Sequence, residues 1–250
     1  MGKLENKVAL VTGGASGIGR AIALRFAEEQ ADICIIDKNL SGAQETAQEV
    51  EKRGRKAFAI HADISNSHDR DAIVPAALDC FSTIDILVND AGVNLFKAAL
   101  EVQEADWDAV MNVNMKGFFF VTQRVLPVML KQGKGKVVNI ASNWGAVGYR
   151  NAGVYSASKA GIISLTKTMA LELAPYKINI NAIGPAATYT PMSKVELDVP
   201  ELYQTLVSEI PLGRVAQPWE IAAAAVYLAS EESDFVTGQT LFVDGGFLAQ

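Results

Sequence analysis

An α/β fold built on a doubly wound parallel sheet of about seven strands, with helices on both faces, is predicted by three observations. Apolar runs of strand length alternate with helical patterns along the 250 residues. The runs are nearly continuous in apolar character, as strands covered on both faces are. The first of them opens through a glycine-rich turn into a helix. Strands are expected at 8–12, 32–36, 57–62, 84–89, 136–141, 178–182 and 241–243. Helices are expected between them at 18–29, 41–53, 69–80, 104–131, 155–173 and 219–229. Such repetition reads as βαβ units with right-handed crossovers, and one unit spanning residues 1–250 is expected. Only the interval 184–213 fits neither pattern, because Pro185, Pro191, Pro200 and Pro211 interrupt it. A loop of that length in a compact fold is expected to be functional, as a lid over a substrate.

Composition narrows the function classes. Half the residues are apolar and a fifth are charged, with a formal net charge of −6. No apolar run approaches the roughly 20 residues that span a bilayer, so a soluble protein without membrane contact is expected. The acidic balance and the absence of a lysine and arginine block argue against nucleic acid as a partner. Cys34 lies in a predicted strand and Cys80 at a predicted helix end, so both read as thiols rather than as a disulfide. The opening Met1-Gly2-Lys3-Leu4-Glu5 is too polar for a secretory signal, and a cytoplasmic location is expected. The two histidines, His61 and His68, form no ligand cluster with the cysteines, and no metal site is expected.

The turn after the first strand reads Thr12-Gly13-Gly14-Ala15-Ser16-Gly17-Ile18-Gly19. Glycines at this spacing let a backbone turn sharply, approach a diphosphate and hand over to a helix whose free N–H groups bind anions. Asp37 closes the second strand eighteen residues beyond Gly19, near the spacing of roughly 20 expected for a carboxylate that binds a ribose diol. Together these predict a Rossmann-type dinucleotide site. A carboxylate at that place repels a 2′-phosphate, which favours NAD over NADP; Lys38, beside it, is the one group able to pair with that phosphate.

A second constellation is Tyr155-Ser156-Ala157-Ser158-Lys159. Four residues apart on a helix, phenol and ammonium project from one face. A phenol of pKa about 10 is a poor base at neutral pH, and lowering that value by three units requires about 4 kcal/mol of phenolate stabilisation. A neighbouring ammonium and an oxidised nicotinamide are able to supply it in a desolvated site. Ser142 closes the fifth predicted strand thirteen residues earlier, where open α/β sheets collect their active sites.

With these residues the chain resembles the short-chain dehydrogenase/reductase family along its whole length. The resemblance extends to Asn89-Asp90-Ala91-Gly92, Asn114, the Pro185 loop, Val236-Thr237-Gly238 and Asp244-Gly245-Gly246. It implies that Tyr155 is the general acid/base, that Lys159 orients the ribose and lowers the tyrosine pKa, and that Ser142 holds the substrate oxygen. Asn114 is implied to hold a water that links Lys159 to solvent. The implied cofactor contacts are Gly13, Ser16, Gly17, Ile18, Gly19, Asp37, Asp63, Ile64, Asn89, Asp90, Ala91, Gly92, Pro185, Thr188 and Thr190. Asp63 reads equally as a turn cap. Ser16 stands where NADP-using relatives often carry a basic residue. Three residues depart from the family pattern: Asp90 replaces the usual asparagine, Ala186 the usual glycine, and Thr188 the usual isoleucine or valine.

The implied reaction is hydride transfer between a nicotinamide and a secondary alcohol or ketone. Candidates to line the substrate pocket are Asn94, Phe96, Asn143, Trp144, Tyr149, Asn151, Tyr189 and Met192, a set suited to a neutral alcohol or ketone. Arg150 is the one nearby cation able to bind a carboxylate. Cyclic alcohols, polyols or sugars, and 3-hydroxyacyl thioesters all remain open. A scaffold without turnover and an epimerase or dehydratase on the same fold are the competing classes. The apolar run Gly117-Phe118-Phe119-Phe120-Val121 and the late Phe235, Phe242, Phe247 and Leu248 suggest subunit contacts, and in the family these regions build a homotetramer.

Overall fold

The computed structural model describes residues 2–250. Seven parallel strands form one sheet in the order β3-β2-β1-β4-β5-β6-β7. They are β1 (Val8–Thr12), β2 (Asp32–Asp37), β3 (Ala57–His61), β4 (Ile86–Asn89), β5 (Gly135–Ile140), β6 (Ile178–Pro185) and β7 (Thr240–Val243). The central strands carry apolar side chains on both faces because both faces are covered, and β1 is buried throughout. The edge strands β3 and β7 are only partly buried.

On one face pack α1 (Gly17–Glu28), α2 (Leu40–Glu51) and α9 (Pro218–Ala229), closing a core around Ile22, Phe26, Ile35 and Ile221. On the other lie α3 (Ser67–Phe81), α5 (Phe118–Gln132) and α6 (Gly153–Leu173), around Leu10, Ile73, Leu87, Phe118 and Met129. Strand order reverses between β1 and β4, where the register brings Thr12 opposite both Ile36 and Asn89. At that point the crossovers diverge to opposite faces and leave a crevice at the carboxyl edge.

The strands match the sequence expectation within a few residues; β6 runs on to Pro185. Larger differences arise in the helices. The single helix expected at 104–131 is divided into α4 (Glu104–Met111), a π-helical turn (Asn112–Gly117) and α5. Gly117 passes the loop after β3 so closely that a Cβ there would meet the Ile64 carbonyl oxygen at 2.8 Å. The 184–213 interval holds two short helices, α7 (Lys194–Leu197) and α8 (Pro200–Ser208). Pro200 sits at the start of α8, where its missing N–H costs nothing. Cys34 is buried and Cys80 half-buried, both as free thiols, and burial pushes the Cys34 pKa up. Among the described residues no helix is long and apolar enough to cross a membrane.

Candidate active site

The crevice holds a cavity of about 350 Å³ whose wall collects residues from the carboxyl ends of six strands and from the 184–213 segment. At its base, Gly13 and Gly17 adopt φ of +71° and +56°, a conformation that favours glycine. A Cβ on Gly13 would lie 2.8 Å from the Ala91 amide nitrogen, and one on Gly19 would lie 2.4 Å from the Gly13 carbonyl oxygen. Thr12 Oγ1 accepts from the amides of Asp90 and Ala91 at 3.1 and 3.2 Å, so the β1 and β4 turns are locked together. Ser16 stands at the N-cap of α1 without a side-chain cap bond, and the first turn has no acidic residue. Its backbone donors are therefore left for an anion at the cleft wall, where Ser16, Gly17 and Ile18 lie. This cradle fits the diphosphate of a dinucleotide.

Asp37 ends β2 at one side of the cleft. Its carboxylate accepts from the amides of Ala15 at 3.1 Å and Asn39 at 2.9 Å, which fix its orientation. Lys38 beside it is exposed. Asp63 both lines the cleft and caps its own turn, accepting from the Ser65 hydroxyl and amide at 2.7 and 2.8 Å. The Ser65 hydroxyl is the main cause of its lowered pKa.

Tyr155 and Lys159 enter from α6, with the ammonium 5.6 Å from the phenol ring centroid. Lys159 Nζ donates to the Ile140 carbonyl at 2.8 Å, which anchors it beneath the end of β5. Burial pushes the Tyr155 pKa up to about 12, while the nearby Ser142 hydroxyl acts the other way. Burial also pushes Lys159 down, opposed by the charge of Asp90; Asp90 is pushed up by its own burial, opposed by Lys159. Ser142 Oγ accepts from the Trp144 amide and donates to Asn143 Oδ1, both at 3.2 Å.

Most of the expected site residues reach the wall, among them Asn94, Asn143, Trp144, Met192, Pro185, Thr188 and Thr190. Six are placed elsewhere, two of them directly behind it: Gly19 packs against the Gly13 carbonyl and Tyr149 against Trp144. Asn89 points into the interior, donating to Thr122 Oγ1 and Asn139 Oδ1 at 2.9 Å, and so ties helices to sheet. Asn114 lies one layer behind the wall: its side chain bridges both backbone groups of Val93 and donates to Ser158 Oγ at 3.0 Å. Asn151 occupies a left-handed turn, with φ of +60°, and its carbonyl accepts from Lys97. Tyr189 turns out of the cleft toward Asp198.

Of the three family departures, Ala186 has no positive φ and its amide bonds Val243, so the position does not require glycine. Thr188 Oγ1 donates to the Ala186 carbonyl, and the Thr188 carbonyl accepts from Ser193, which roots the following segment. Leu197 and Leu206 also reach the wall. Sequence reading missed them because prolines on either side hide the helical spacing of α7 and α8.

The substrate end of the cleft is aromatic. Phe96 meets Trp144 edge to face at 5.5 Å, Trp144 meets Tyr155 likewise at 6.1 Å, and Tyr149 stacks behind Trp144 at 4.1 Å. The charged residues of the wall are Asp37, Lys38, Asp63, Asp90 and Lys159, of which Lys159 stands beside Tyr155, and Arg150 is not part of the wall. Among the described residues no group of three or more His, Cys, Asp and Glu is arranged to hold a metal ion.

A family model described as enoyl-(acyl carrier protein) reductase matches residues 13–248. The chain belongs to the short-chain dehydrogenase/reductase family. Similar members include a 3-oxoacyl-[acyl-carrier-protein] reductase of Thermotoga maritima, 42% identical over 98% of this chain and 99% of that protein. A cyclopentanol dehydrogenase of Comamonas testosteroni is 36% identical over the full length of both. Among solved structures, a 3-ketoacyl-(acyl-carrier-protein) reductase of Brucella melitensis complexed with NADH superposes with a TM-score of 0.90 at 37% identity, covering 98% of this chain and 99% of that one. As a family member the chain is an oxidoreductase acting between CH–OH and ketone carbons with a nicotinamide cofactor.

Proposed function

We propose that this short-chain dehydrogenase/reductase is an NAD-dependent dehydrogenase of a compact, neutral secondary alcohol, preferably one on a ring, acting also on the corresponding ketone. One observation carries the reading: Tyr155 and Ser142 line the wall where an aromatic group of side chains, Phe96, Trp144 and Tyr149, meets the cofactor cleft. When bound, the nicotinamide supplies the hydride acceptor or donor. Ser142 Oγ holds the substrate oxygen, and Tyr155 Oη takes the hydroxyl proton in oxidation or returns it in reduction. Lys159, anchored on Ile140, carries the positive charge that favours the phenolate. Asn114 keeps the Val93 backbone and Ser158 in place around that pair.

Asp37 supports NAD, since both its oxygens are already aimed by backbone amides and a 2′-phosphate would face an anion. The Thermotoga relative and the exposed Lys38 support a second reading, an NADP-preferring 3-oxoacyl reductase. A fourfold assembly acting in the cytoplasm, on a small molecule without nucleic acid or membrane, completes the proposal. Retention of Tyr155, Lys159 and Ser142 weighs against a scaffold without turnover. An epimerase or dehydratase remains the alternative chemistry on this fold. The deciding test is a panel of cyclic alcohols, polyols and 3-hydroxyacyl thioesters, each followed by reduction of NAD and of NADP. Cyclic alcohols with NAD are expected to give the highest kcat/KM; a preference for the thioester with NADP would establish the second reading.

A further inference from the structure

Asp90 stands in the cleft and takes no part in the steps above. Its amide is held by Thr12 Oγ1 at 3.1 Å, which fixes the residue at the switch point of the sheet. Its carboxylate lies against the first turn of α1, so close that a Cβ on Gly19 would come within 2.7 Å of Oδ2. The same turn presents the backbone donors suited to a diphosphate. The charged and titratable groups that face Asp90 are Lys159 and Tyr155 from α6 and Asp37 from the end of β2. The carboxylate thus shares one helix terminus with the anion that the cleft is built to receive.

A dinucleotide brings negative charge to this turn and removes water from around the carboxyl group, and both changes favour the neutral acid. The neutral acid has a further advantage: it can donate a hydrogen bond, which a carboxylate cannot. Burial has already raised the pKa of Asp90 in the protein alone, so the proton is available near neutral pH. Resting on the family's use of a nicotinamide dinucleotide, we propose that Asp90 is a proton-linked cofactor-binding residue, taking one proton from solvent as the dinucleotide enters. The sign follows from linkage. A group whose pKa is higher in the bound state than in the free state strengthens binding at low pH, and affinity falls as pH rises through the two values, by at most about tenfold per unit.

The test is calorimetric titration of the intact protein with NADH, and separately with ADP-ribose, in two buffers of different ionisation enthalpy. The wild-type chain is expected to take up most of one proton with either ligand near about pH 7.5, and its Kd to rise several-fold between about pH 6.5 and 8.5. Asp90→Asn and Asp90→Ser are expected to bind with little pH dependence, and several-fold more tightly than wild type at the alkaline end. Absence of proton uptake by the wild-type chain overturns the proposal without recourse to any variant. Undiminished uptake in both variants overturns it too, and assigns the proton to Lys159. Failure to bind NADH, NADPH or ADP-ribose at all would overturn the dinucleotide reading itself, an outcome distinct from binding without uptake.

Discussion

Tyr155 carries the sharpest expectations, because its environment pulls in two directions. In the protein alone burial holds its pKa near about 12, so at neutral pH the phenol keeps its proton. A proton donor is needed for ketone reduction and a proton acceptor for alcohol oxidation. Reduction should therefore run with little pH dependence across the neutral range, and oxidation should climb with pH. Initial rates in both directions across that range check this; oxidation independent of pH would contradict it. Tyr155→Phe should lower kcat by about 10²–10⁴-fold while leaving NADH titration intact. Replacing Asp37 with serine should cost NAD about 10–100-fold in kcat/KM, the worth of lost hydrogen bonds to a charged group, and should improve NADP. Steady-state kinetics with both cofactors measure the change. These residues were legible in the sequence because helical spacing and strand ends determine where their side chains emerge. Asn89 was not: it closes β4, and the turn of one pleat sends its amide to Thr122 and Asn139 instead of the cleft. Asn151 and Tyr189 lie in segments whose paths depend on distant packing, so local pattern could not orient them.

Helices and strands were read correctly where periodicity was strong, and misread where packing overrode it. All seven strands were visible as apolar runs, whereas the π-helical turn between α4 and α5 follows from the approach of Gly117 to Ile64, a contact fifty-three residues apart in sequence. The start of α9 illustrates a local signal that does survive. Gln217 and Glu220 form a reciprocal capping box, and Arg214 grips Glu220 with two bonds of 2.7 Å. That guanidinium, with the Gln217 amide, holds the Glu220 carboxyl down at about 2. A depressed carboxyl pKa contributes stability above the unfolded value of about 4.3, and the contribution is lost as pH falls toward the folded one. Glu220→Gln should therefore lower the melting temperature at neutral pH by about 2–4 °C, as loss of roughly 1 kcal/mol does in a chain of this size. The gap between the two melting curves should close as the pH is taken down from about 4.5 toward 2. A gap unchanged at low pH would mean that the carboxylate charge is not what stabilises the helix start.

Assembly depends on how apolar surface is distributed once the fold has closed, and here sequence pattern and structure divide the expected contacts. The run of phenylalanines after Gly117 is largely used by the chain itself, since Phe118 and Val121 are buried beneath the sheet and only Phe119 and Phe120 retain exposure, packed edge to face. Elsewhere the chain leaves large apolar side chains in water. Phe235 is fully exposed, and Leu100, Leu171 and Trp219 are exposed by 65% or more. Phe235 lies in the turn between α9 and β7, whose flanking carbonyls, those of Asp234 and Val236, accept from Asn179 near the start of β6; in the assembly proposed above, two copies would cover it in a two-fold contact. Burying one such side chain is worth about 1.5–3 kcal/mol, and a two-fold contact counts it twice. Phe235→Asp should then weaken that contact by well over a hundredfold while leaving the cleft, on the carboxyl edge of the central strands, untouched. Light scattering on the wild-type chain is expected to give about four times the 26.7 kDa chain mass, and on the variant about twice. Retention of dinucleotide binding by the variant would show that the loss is one of assembly. A wild-type mass of 26.7 kDa would instead leave these side chains as solvent-facing residues and end the tetramer proposal.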